Sequence, residues 1–366
     1  MWSGFKRLAL GISLIVLTSA VLLLSDLDRR TPAARSIAKI AILQHASSSV
    51  LDDGVAGMIQ GLAEQGFTDG TTATIDRYNA EADMAVGNAI ANQIVHSDYD
   101  LVLTSSTPSM QAVANANKDG LVLHVFGVVA DPFSAGLGFD RADPMKHPKH
   151  IVGQSIFLPV DDAFRMAKAS LPGLKTVGTA WNPAETNSRA FVAAARDVCR
   201  ALGITLIEAN VDNTSSVVEA VLSVVARGAQ AFWVPGDNVM MATMPAILET
   251  TRRAGIPVFT ITPGQPDRGS FLDVGIDFVQ VGRMSGELAA RVLRGADPAT
   301  IPIRDVLDQV PRRVVINTVA LRSLKEPWRV PEDTLRTATI LVDEKGIHDL
   351  SPTTPPSPDA GEVRTR

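Results

Sequence analysis

Short apolar runs that end in small polar residues dominate the middle of this chain. Residues 100–106 read Asp-Leu-Val-Leu-Thr-Ser-Ser, and residues 121–132 read Leu-Val-Leu-His-Val-Phe-Gly-Val-Val-Ala-Asp-Pro. Runs of this length, bounded by turn-forming residues, are typical of buried parallel strands. In an open α/β sheet, a ligand binds just beyond the carboxyl ends of the strands. The pattern therefore predicts a ligand site that includes Ser105, Ser106, Thr107 and Asp131.

Strand-like and helix-like segments alternate along most of the chain. From residue 37 to residue 138, and again after residue 150, apolar runs alternate with amphipathic segments at helical spacing. Such alternation predicts an α/β fold with two doubly wound, Rossmann-like lobes. The polar stretch at residues 139–150 is either a linker or a surface excursion. A further helix at residues 279–293 and a strand at residues 313–317 imply that the chain crosses between the lobes more than once, which predicts a hinge and a cleft.

Composition excludes several classes of function. The chain has 366 residues and 46% hydrophobic content, enough for two domains of ordinary size. Its net charge of −5 comes without a basic stripe, so we expect no nucleic acid partner. Cys199 is the one cysteine in the sequence, so no intrachain disulfide can form, and its apolar setting indicates a small buried hydrophobe.

The sequence also lacks the motifs of common enzymes. No G-x-G-x-x-G follows the first strand, and neither a P-loop nor a G-x-S-x-G occurs, so we predict no cofactor and no catalytic residues. His147 and His150, together with Asp143, have no secure further ligand, so we predict no metal site.

The amino terminus has the pattern of an export signal. Lys6 and Arg7 precede an uncharged apolar run at residues 8–24. A positive segment followed by an apolar one predicts export, with the basic residues left on the cytoplasmic side. Residues 1–36 are therefore either a cleaved signal peptide or an uncleaved signal anchor that forms an N-terminal hydrophobic helix in the inner membrane. At the other end, residues 351–366 are rich in proline, threonine and serine, and we predict a disordered tail.

Three hydroxyl side chains and two carboxylates are candidates for the charged ends of a ligand. Ser105, Ser106 and Thr107 end a strand and precede a helix, where they form either an anion site or a plain helix N-cap. Asp131 either accepts a hydrogen bond from a ligand ammonium group or fixes its own loop by an Asx-turn. Asp237 ends the run Phe-Trp-Val-Pro-Gly in the second half of the chain, where it either binds an ammonium group or caps a helix.

Other polar and aromatic residues follow predicted strands. Trp181 either stacks on a ring of the ligand or packs in the core. Glu185 is either a ligand contact or a solvated side chain, and Ser188 either a contact or a cap. The remaining candidates after strand ends are Gln44, Asn182 and Asn187.

Six phrases, taken in order, resemble one protein family. They are Ala-Ile-Leu-Gln-His (41–45), Thr-Pro-Ser-Met-Gln-Ala (107–112), Ala-Asp-Pro-Phe-Ser-Ala-Gly-Leu (130–137), Trp-Asn-Pro-Ala-Glu-Thr-Asn-Ser (181–188), Trp-Val-Pro-Gly-Asp-Asn (233–238) and Val-Gly-Ile-Asp-Phe-Val-Gln-Val-Gly-Arg (274–283). Together they resemble the ABC-transporter substrate-binding proteins of the tryptophan/tyrosine type, over about residues 37–322. This sequence departs from the family pattern at Ala130, where a threonine is expected, at Trp181, where a tyrosine is expected, and in the charged stretch at residues 139–150.

The resemblance implies a type I periplasmic-binding-protein fold and no catalysis. It implies a first lobe at residues 37–138 plus 277–298 and a second at 151–276 plus 299–325. The function it implies is an extracytoplasmic solute-binding protein of an ABC-type importer, which clamps a small amino-acid-like ligand between the lobes and docks on an ABC permease. Such a protein is periplasmic or extracytoplasmic, and residues 8–24 would hold it at the inner membrane if they are not cleaved. The alternative is a membrane-anchored ligand-sensing module that serves a signalling partner.

Overall fold

The computed structural model describes residues 37–264, 269–322 and 324–351. The predicted signal segment at residues 1–36 and the predicted tail beyond Ser351 lie outside the described residues. None of the helices in the described ranges has the length and hydropathy needed to span a membrane.

Strands and helices alternate in the described ranges. The strands are β1 (Ala38–Gln44), β2 (Ala73–Asn79), β3 (Leu101–Ser105), β4 (Leu123–Val129), β5 (Ile151–Ser155), β6 (Thr176–Trp181), β7 (Thr205–Asn210), β8 (Ala231–Val234), β9 (Val258–Thr260), β10 (Leu272–Ile276), β11 (Arg304–Asp305), β12 (Arg312–Asn317), β13 (Ile340–Asp343) and β14 (Gly346–Asp349). The helices are α1 (Ser49–Glu64), α2 (Met84–Val95), α3 (Thr107–Ala116), α4 (Val160–Ser170), α5 (Thr186–Leu202), α6 (Val217–Ala226), α7 (Asn238–Ala242), α8 (Met244–Ala254), α9 (Phe278–Leu293) and α10 (Glu332–Leu335).

The strands form two separate sheets, which confirms the predicted α/β class. The first has the order β11-β5-β4-β3-β1-β2 and the second the order β14-β13-β12-β10-β9-β8-β6-β7. The pairings β1–β3, β3–β4 and β4–β5 are parallel in the first sheet, as are β6–β7, β6–β8 and β8–β9 in the second. Because parallel strands run the same way, the carboxyl ends of the central strands lie at one edge of each sheet.

Each sheet has its own apolar core. Leu43 of β1, Val102 of β3, Val113 of α3 and Ile94 of α2 belong to one buried cluster of the first sheet. In the second sheet, rings pack in sequence from Trp233 to Trp328, with successive centroids 5.1–6.3 Å apart. The members of that chain of rings are Trp233, Phe164, Phe259, Phe271 and Trp328.

Within the described residues, the chain passes between the two sheets three times. It leaves the first sheet after β5 through residues 156–159, returns from β10 to α9 at Asp277, and leaves again after β11 through residues 306–311. The Asp305 carboxylate ties two of these crossings together, because it accepts hydrogen bonds from the Ser155 hydroxyl and the Phe157 N–H, both at 3.3 Å.

Two sequence-predicted lobe boundaries differ from the sheet assignment. The predicted second lobe begins at residue 151 and resumes at residue 299, whereas β5 and β11 both pair within the first sheet. The stretch at residues 139–150 is therefore an excursion between two neighbouring strands rather than a linker between lobes. Beyond residue 325, β13 and β14 extend the second sheet, and no prediction covers them.

Helices α1 and α9 approach so closely that glycine is required where they meet. A Cβ atom added to Gly57 of α1 would lie 2.0 Å from the Val279 carbonyl oxygen, and one added to Gly282 of α9 would lie 1.9 Å from the Gly54 carbonyl oxygen. Real Cβ atoms essentially never come within 3.0 Å of a heavy atom in another part of the chain. The two backbones are thus in direct contact, and this contact fixes α9 on the first sheet.

Candidate functional site

Three predicted ligand residues lie where β3 leads into α3 at the carboxyl edge of the first sheet. They are Ser105, Ser106 and Thr107. Gln44 pairs in register with Ser105, and Ser105 pairs with Gly127. Ser106 then turns the chain sharply, and its hydroxyl oxygen accepts a hydrogen bond from the Ser109 N–H at 3.2 Å. Ser106 is therefore the N-cap of α3. Because Pro108 has no N–H and Ser109 donates to the cap, the Thr107 N–H is the first-turn donor left for another acceptor.

Backbone strain occurs on this side of the site. Ser106 has φ 115° and ψ 160°, a region that glycine ordinarily occupies, and Val128 has φ 53°. Positive φ is rare in residues other than glycine and is most unfavourable for a β-branched residue. Each residue held in such a conformation destabilises the fold by about 1–3 kcal/mol. The Val128 side chain crowds α1: one of its methyl groups would lie 2.7 Å from a Cβ added to Gly54. Strain of this kind persists only where surrounding structure enforces it.

The carboxylate of Asp237 is the centre of the site on the second sheet. Its side chain is fully buried and accepts hydrogen bonds from the Asn182 N–H at 2.7 Å, the Ser188 hydroxyl at 2.6 Å and the Met240 N–H at 2.9 Å. The residue thus caps α7 and ties it to the loop after β6. Burial is the largest influence on this group, and it raises the pKa of Asp237 above its ordinary value.

A second buried carboxylate lies behind Asp237. Glu185 accepts hydrogen bonds from the Asn238 N–H at 3.0 Å, the Asn238 side-chain amide at 2.6 Å and the Asn187 side-chain amide at 3.1 Å. Burial raises the pKa of Glu185, and the neighbouring Asp237 carboxylate raises it further. In the described part of the chain, the donors to these two carboxylates are amide N–H groups and one hydroxyl, and none is a lysine or arginine.

A small cavity with about 40 Å³ of water-accessible volume lies where these groups meet. The wall combines residues that follow strands of both sheets with two from the crossing after β5. The lining residues are Ser48, Val50, Leu51, Ser106, Thr107, Val128, Ala130, Ile156, Leu158, Asn187, Phe191, Gly236, Asp237, Asn238, Met241, Thr262 and Phe278.

Two polar atoms of the lining are buried and have no hydrogen-bond partner among the described residues. They are the hydroxyl oxygen of Thr107, on the first-sheet side, and the amide oxygen of Asn187, on the second-sheet side. The Asn187 side-chain N–H groups are already engaged, because they donate to Glu185 and, at 2.7 Å, to the Gly236 carbonyl oxygen. Since a buried polar atom without a partner is unfavourable by about 1–3 kcal/mol, a ligand that supplies the missing partners is favoured here.

Most of the remaining lining is apolar. Leu51 of α1, Phe191 of α5, Met241 of α7 and Phe278 of α9 all face the cavity and are nearly fully buried. The arrangement therefore offers charged and hydrogen-bonding groups together with an apolar compartment, which suits a small zwitterion that carries an apolar side chain.

Of the eleven sequence-predicted ligand residues, four line the cavity and three support them. Ser106, Thr107, Asn187 and Asp237 are the lining residues. The supporting ones bond to Asp237 or to Asn187 and Asn238, and they are Asn182, Ser188 and Glu185.

The other four predicted residues are not part of the cavity wall. Gln44 donates to the Ala46 carbonyl and to Asp52, and Ser105 is buried below the turn. Trp181 donates from its indole nitrogen to Glu208 at 3.0 Å.

Asp131 forms the Asx-turn that the sequence left as an alternative. It accepts from the Phe133 N–H at 3.1 Å, and it pairs with Arg141 at 2.6 Å. Arg141 belongs to the charged stretch at residues 139–150. The carboxylate that we predicted to bind a ligand ammonium group therefore forms an ion pair with this stretch.

Comparison with known proteins assigns the family. The family model for ABC transporter substrate binding proteins matches residues 39–339. A curated tyrosine-binding protein from Clostridioides difficile is 31% identical over 285 residues, which is 78% of this chain and 80% of that protein.

Two solved structures cover 84% of this chain and 100% of their own. One is a conserved domain protein from Vibrio cholerae, at 26% identity and a TM-score of 0.77, and the other is a Streptococcus pneumoniae ABC domain in complex with L-Trp, at 28% and 0.76. The ligand-free, open structure of a substrate-binding protein from Clostridium difficile is also 28% identical, over 80% of this chain and 96% of its own, with a TM-score of 0.55. By these matches, the chain belongs to the family of ABC transporter substrate-binding proteins.

Proposed function

We propose that this protein is the extracytoplasmic receptor of an ABC importer and that it binds an L-α-amino acid with an apolar or aromatic side chain. The observation that carries the proposal is the cavity between the two sheets, which combines an anion-binding helix start, a buried carboxylate and an apolar wall.

The ligand carboxylate binds at the start of α3. The Thr107 hydroxyl has no other partner among the described residues, and the Thr107 N–H adds the partial positive charge of a helix N-terminus. The strained backbone at Ser106 turns the chain so that Thr107 lines the cavity.

The ligand ammonium group binds on the second-sheet side. There the Asn187 amide oxygen lacks a donor, and the Asp237 carboxylate is buried with no lysine or arginine bonded to it in the described ranges. An ammonium group supplies both the donor and the positive charge. A charge-assisted bond in a desolvated site contributes about 1.5–3 kcal/mol.

The ligand side chain occupies the apolar compartment formed by Leu51, Val128, Phe191, Met241 and Phe278. The ligands of two relatives, L-Trp and tyrosine, have side chains of this kind. An aromatic side chain buries about 150–250 Å² of apolar surface, which at about 25 cal/mol per Å² contributes about 4–6 kcal/mol.

We further propose that the lobes close around the ligand. The two relatives at 28% identity differ in state: the chain fits the L-Trp complex with a TM-score of 0.76 and the open, ligand-free protein with 0.55. This difference supports a closed arrangement of the two sheets. The three crossings, of which Asp305 ties two, are the proposed hinge.

The ligand class can be tested by calorimetric and thermal-shift titration of the purified full-length chain. We expect L-tryptophan, L-tyrosine or L-phenylalanine to bind and to raise the melting temperature. Indole-3-propionate and tryptamine, which lack the ammonium and the carboxylate respectively, should bind at least about tenfold more weakly. A panel of all twenty L-amino acids without a heat or a shift would refute the proposal.

Uptake of the labelled ligand by cells that lack the protein tests the importer role separately. Loss of uptake, restored by the wild-type chain, supports transport. Binding in vitro with normal uptake in such cells would favour the sensing alternative.

A further inference from the structure

A direct hydrogen bond beside the cavity links a helix of the first sheet, α3, to a helix of the second sheet, α5. The Gln111 side-chain amide, on α3, donates to the Thr186 hydroxyl oxygen, on α5, at 3.2 Å. The Thr186 hydroxyl in turn lies 3.4 Å from the Gln111 amide oxygen, so either side chain can donate a hydrogen bond to the other. Neither residue lines the cavity, and the sequence predictions include neither.

Both partners are adjacent in the chain to the residues proposed to hold the ligand. Gln111 is one helical turn beyond Thr107 on α3 and lies on the same face. Thr186 directly precedes Asn187 at the start of α5. A movement that separates Gln111 from Thr186 therefore also separates Thr107 from Asn187, the two lining residues whose polar atoms lack partners among the described residues.

Each partner is held in place by hydrogen bonds within its own half of the molecule. Gln111 also donates to the Ala135 carbonyl oxygen at 3.0 Å. Thr186 also accepts from Arg189 at 2.8 Å, and Arg189 is anchored on the Pro183 carbonyl oxygen at 2.6 Å. Because both side chains are already ordered, their mutual bond forms at little further loss of rotamer entropy. Thr186 is 4% exposed and Gln111 is half-buried, so the bond is partly sheltered from water.

We infer that Gln111 and Thr186 form a latch that stabilises the closed form and slows ligand release. This inference rests on the proposed clamp between the lobes. Neither residue contacts the ligand, so both are positioning residues. The latch forms whenever the lobes close, with or without a ligand between them. Because the bond must break before a bound ligand leaves, it acts mainly on the dissociation rate constant, and it changes the association rate constant only through the closed fraction of the ligand-free protein.

The test uses a matched pair of variants in the full-length chain. Thr186→Val keeps the shape and removes the hydroxyl, whereas Thr186→Ser keeps the hydroxyl. With L-tryptophan or L-tyrosine in stopped-flow fluorescence, we expect Thr186→Val to dissociate about five times faster than wild type, the factor that one net hydrogen bond supplies. The association rate constant should stay within about twofold, and Thr186→Ser should dissociate at the wild-type rate.

A double-mutant cycle with Gln111→Ala separates the latch from the bonds to Ala135 and Arg189. Gln111→Ala and Thr186→Val each remove one bond within a lobe, and those effects cancel in the cycle. If the latch exists, the double variant dissociates about as fast as the faster single variant. Additive effects of the two substitutions would overturn the inference.

Small-angle X-ray scattering without ligand distinguishes failure of the latch from failure of the proposed function. Thr186→Val should have a larger radius of gyration than wild type and Thr186→Ser, whichever ligand the protein binds. A radius that is the same in all three proteins, with equal dissociation rates, overturns the latch. Absence of amino-acid binding by the wild-type chain, with the radius still larger in Thr186→Val, overturns the proposed ligand and leaves the latch in place.

Discussion

The packing of α1 against α9 connects the core of the first sheet to the binding cavity. Both helices contribute to the cavity wall, α1 through Leu51 and α9 through Phe278. Their separation is set by glycines whose backbones touch. We therefore predict that Gly282→Ala, which adds one methyl group, both destabilises the protein and weakens ligand binding.

The magnitude follows from the distances. The added Cβ of residue 282 would lie 1.9 Å from the Gly54 carbonyl oxygen and 2.9 Å from the Met58 nitrogen, and ordinary van der Waals contact begins near 3.4 Å. No rotamer change relieves a clash with backbone, so the helices must separate by about 1.5 Å. Alanine gains about 1 kcal/mol of helix propensity over glycine. Overpacking, together with the weaker dispersion attraction between the separated helices, outweighs this gain and leaves a net destabilisation of about 3 kcal/mol.

The assay is urea unfolding of the full-length chain, followed by circular dichroism, together with calorimetric titration of the ligand. We expect a lower unfolding midpoint for Gly282→Ala and an affinity reduced at least about tenfold, because Leu51 and Phe278 move apart. Gly87→Ala is the matched control within a helix: its added Cβ would lie 3.3 Å from the Ala80 methyl group, and we expect a change under about 1 kcal/mol. If both variants are as stable as wild type and bind equally well, the argument from backbone contact is wrong.

Three further predictions concern the cavity. Thr107→Val removes a hydroxyl that has no partner among the described residues. The melting temperature should therefore stay within about 2 °C of wild type, while the affinity for the ligand falls about tenfold or more. Thr107→Ser keeps the hydroxyl and should bind as wild type. Val128→Gly relieves strain and loses apolar burial, so the unfolding free energy should change by under about 1 kcal/mol while calorimetry records weaker binding. Folding raises the pKa of Glu185, so the folded state holds this proton more tightly. The stability of the ligand-free protein should therefore fall as pH rises above the ordinary value of 4.5. Thermal melts should record a smaller slope in Glu185→Gln, where the raised pKa of Asp237 still contributes.

The polar half of the site was predictable because sequence and topology agree there. A buried parallel strand must end before a turn, and small polar residues at that point cap the next helix. Ser106 and Thr107 after β3, and Asp237 after β8, are such residues, and all three line the cavity. The same rule also selects residues that only stabilise a loop, as Asp131 does.

The apolar half was not predictable from one sequence. Phe191, Met241 and Phe278 are apolar positions on helices, and their spacing is that of ordinary core residues. Whether such a side chain faces a sheet or a cavity depends on where the second sheet lies, which is a long-range property. The predicted lobe boundary at residue 151 differs from the pairing of β5 with β4 for a related reason: an apolar strand can pair with either sheet, and the sequence does not show which.

The two buried carboxylates have different positions relative to the cavity, and the sequence alone does not distinguish them. Asp237 lines the cavity, whereas Glu185 binds the side chains of Asn187 and Asn238 behind it. Because Glu185 and the Gly236 carbonyl oxygen accept the side-chain N–H groups of Asn187, the amide oxygen of that residue is left for another donor. Under the proposed function, the second acid therefore acts through an amide rather than by touching the ligand. Both acids also cap the start of α7, since Glu185 accepts the Asn238 and Val239 N–H groups and Asp237 accepts the Met240 N–H group, so it is the cavity lining that distinguishes Asp237 from Glu185.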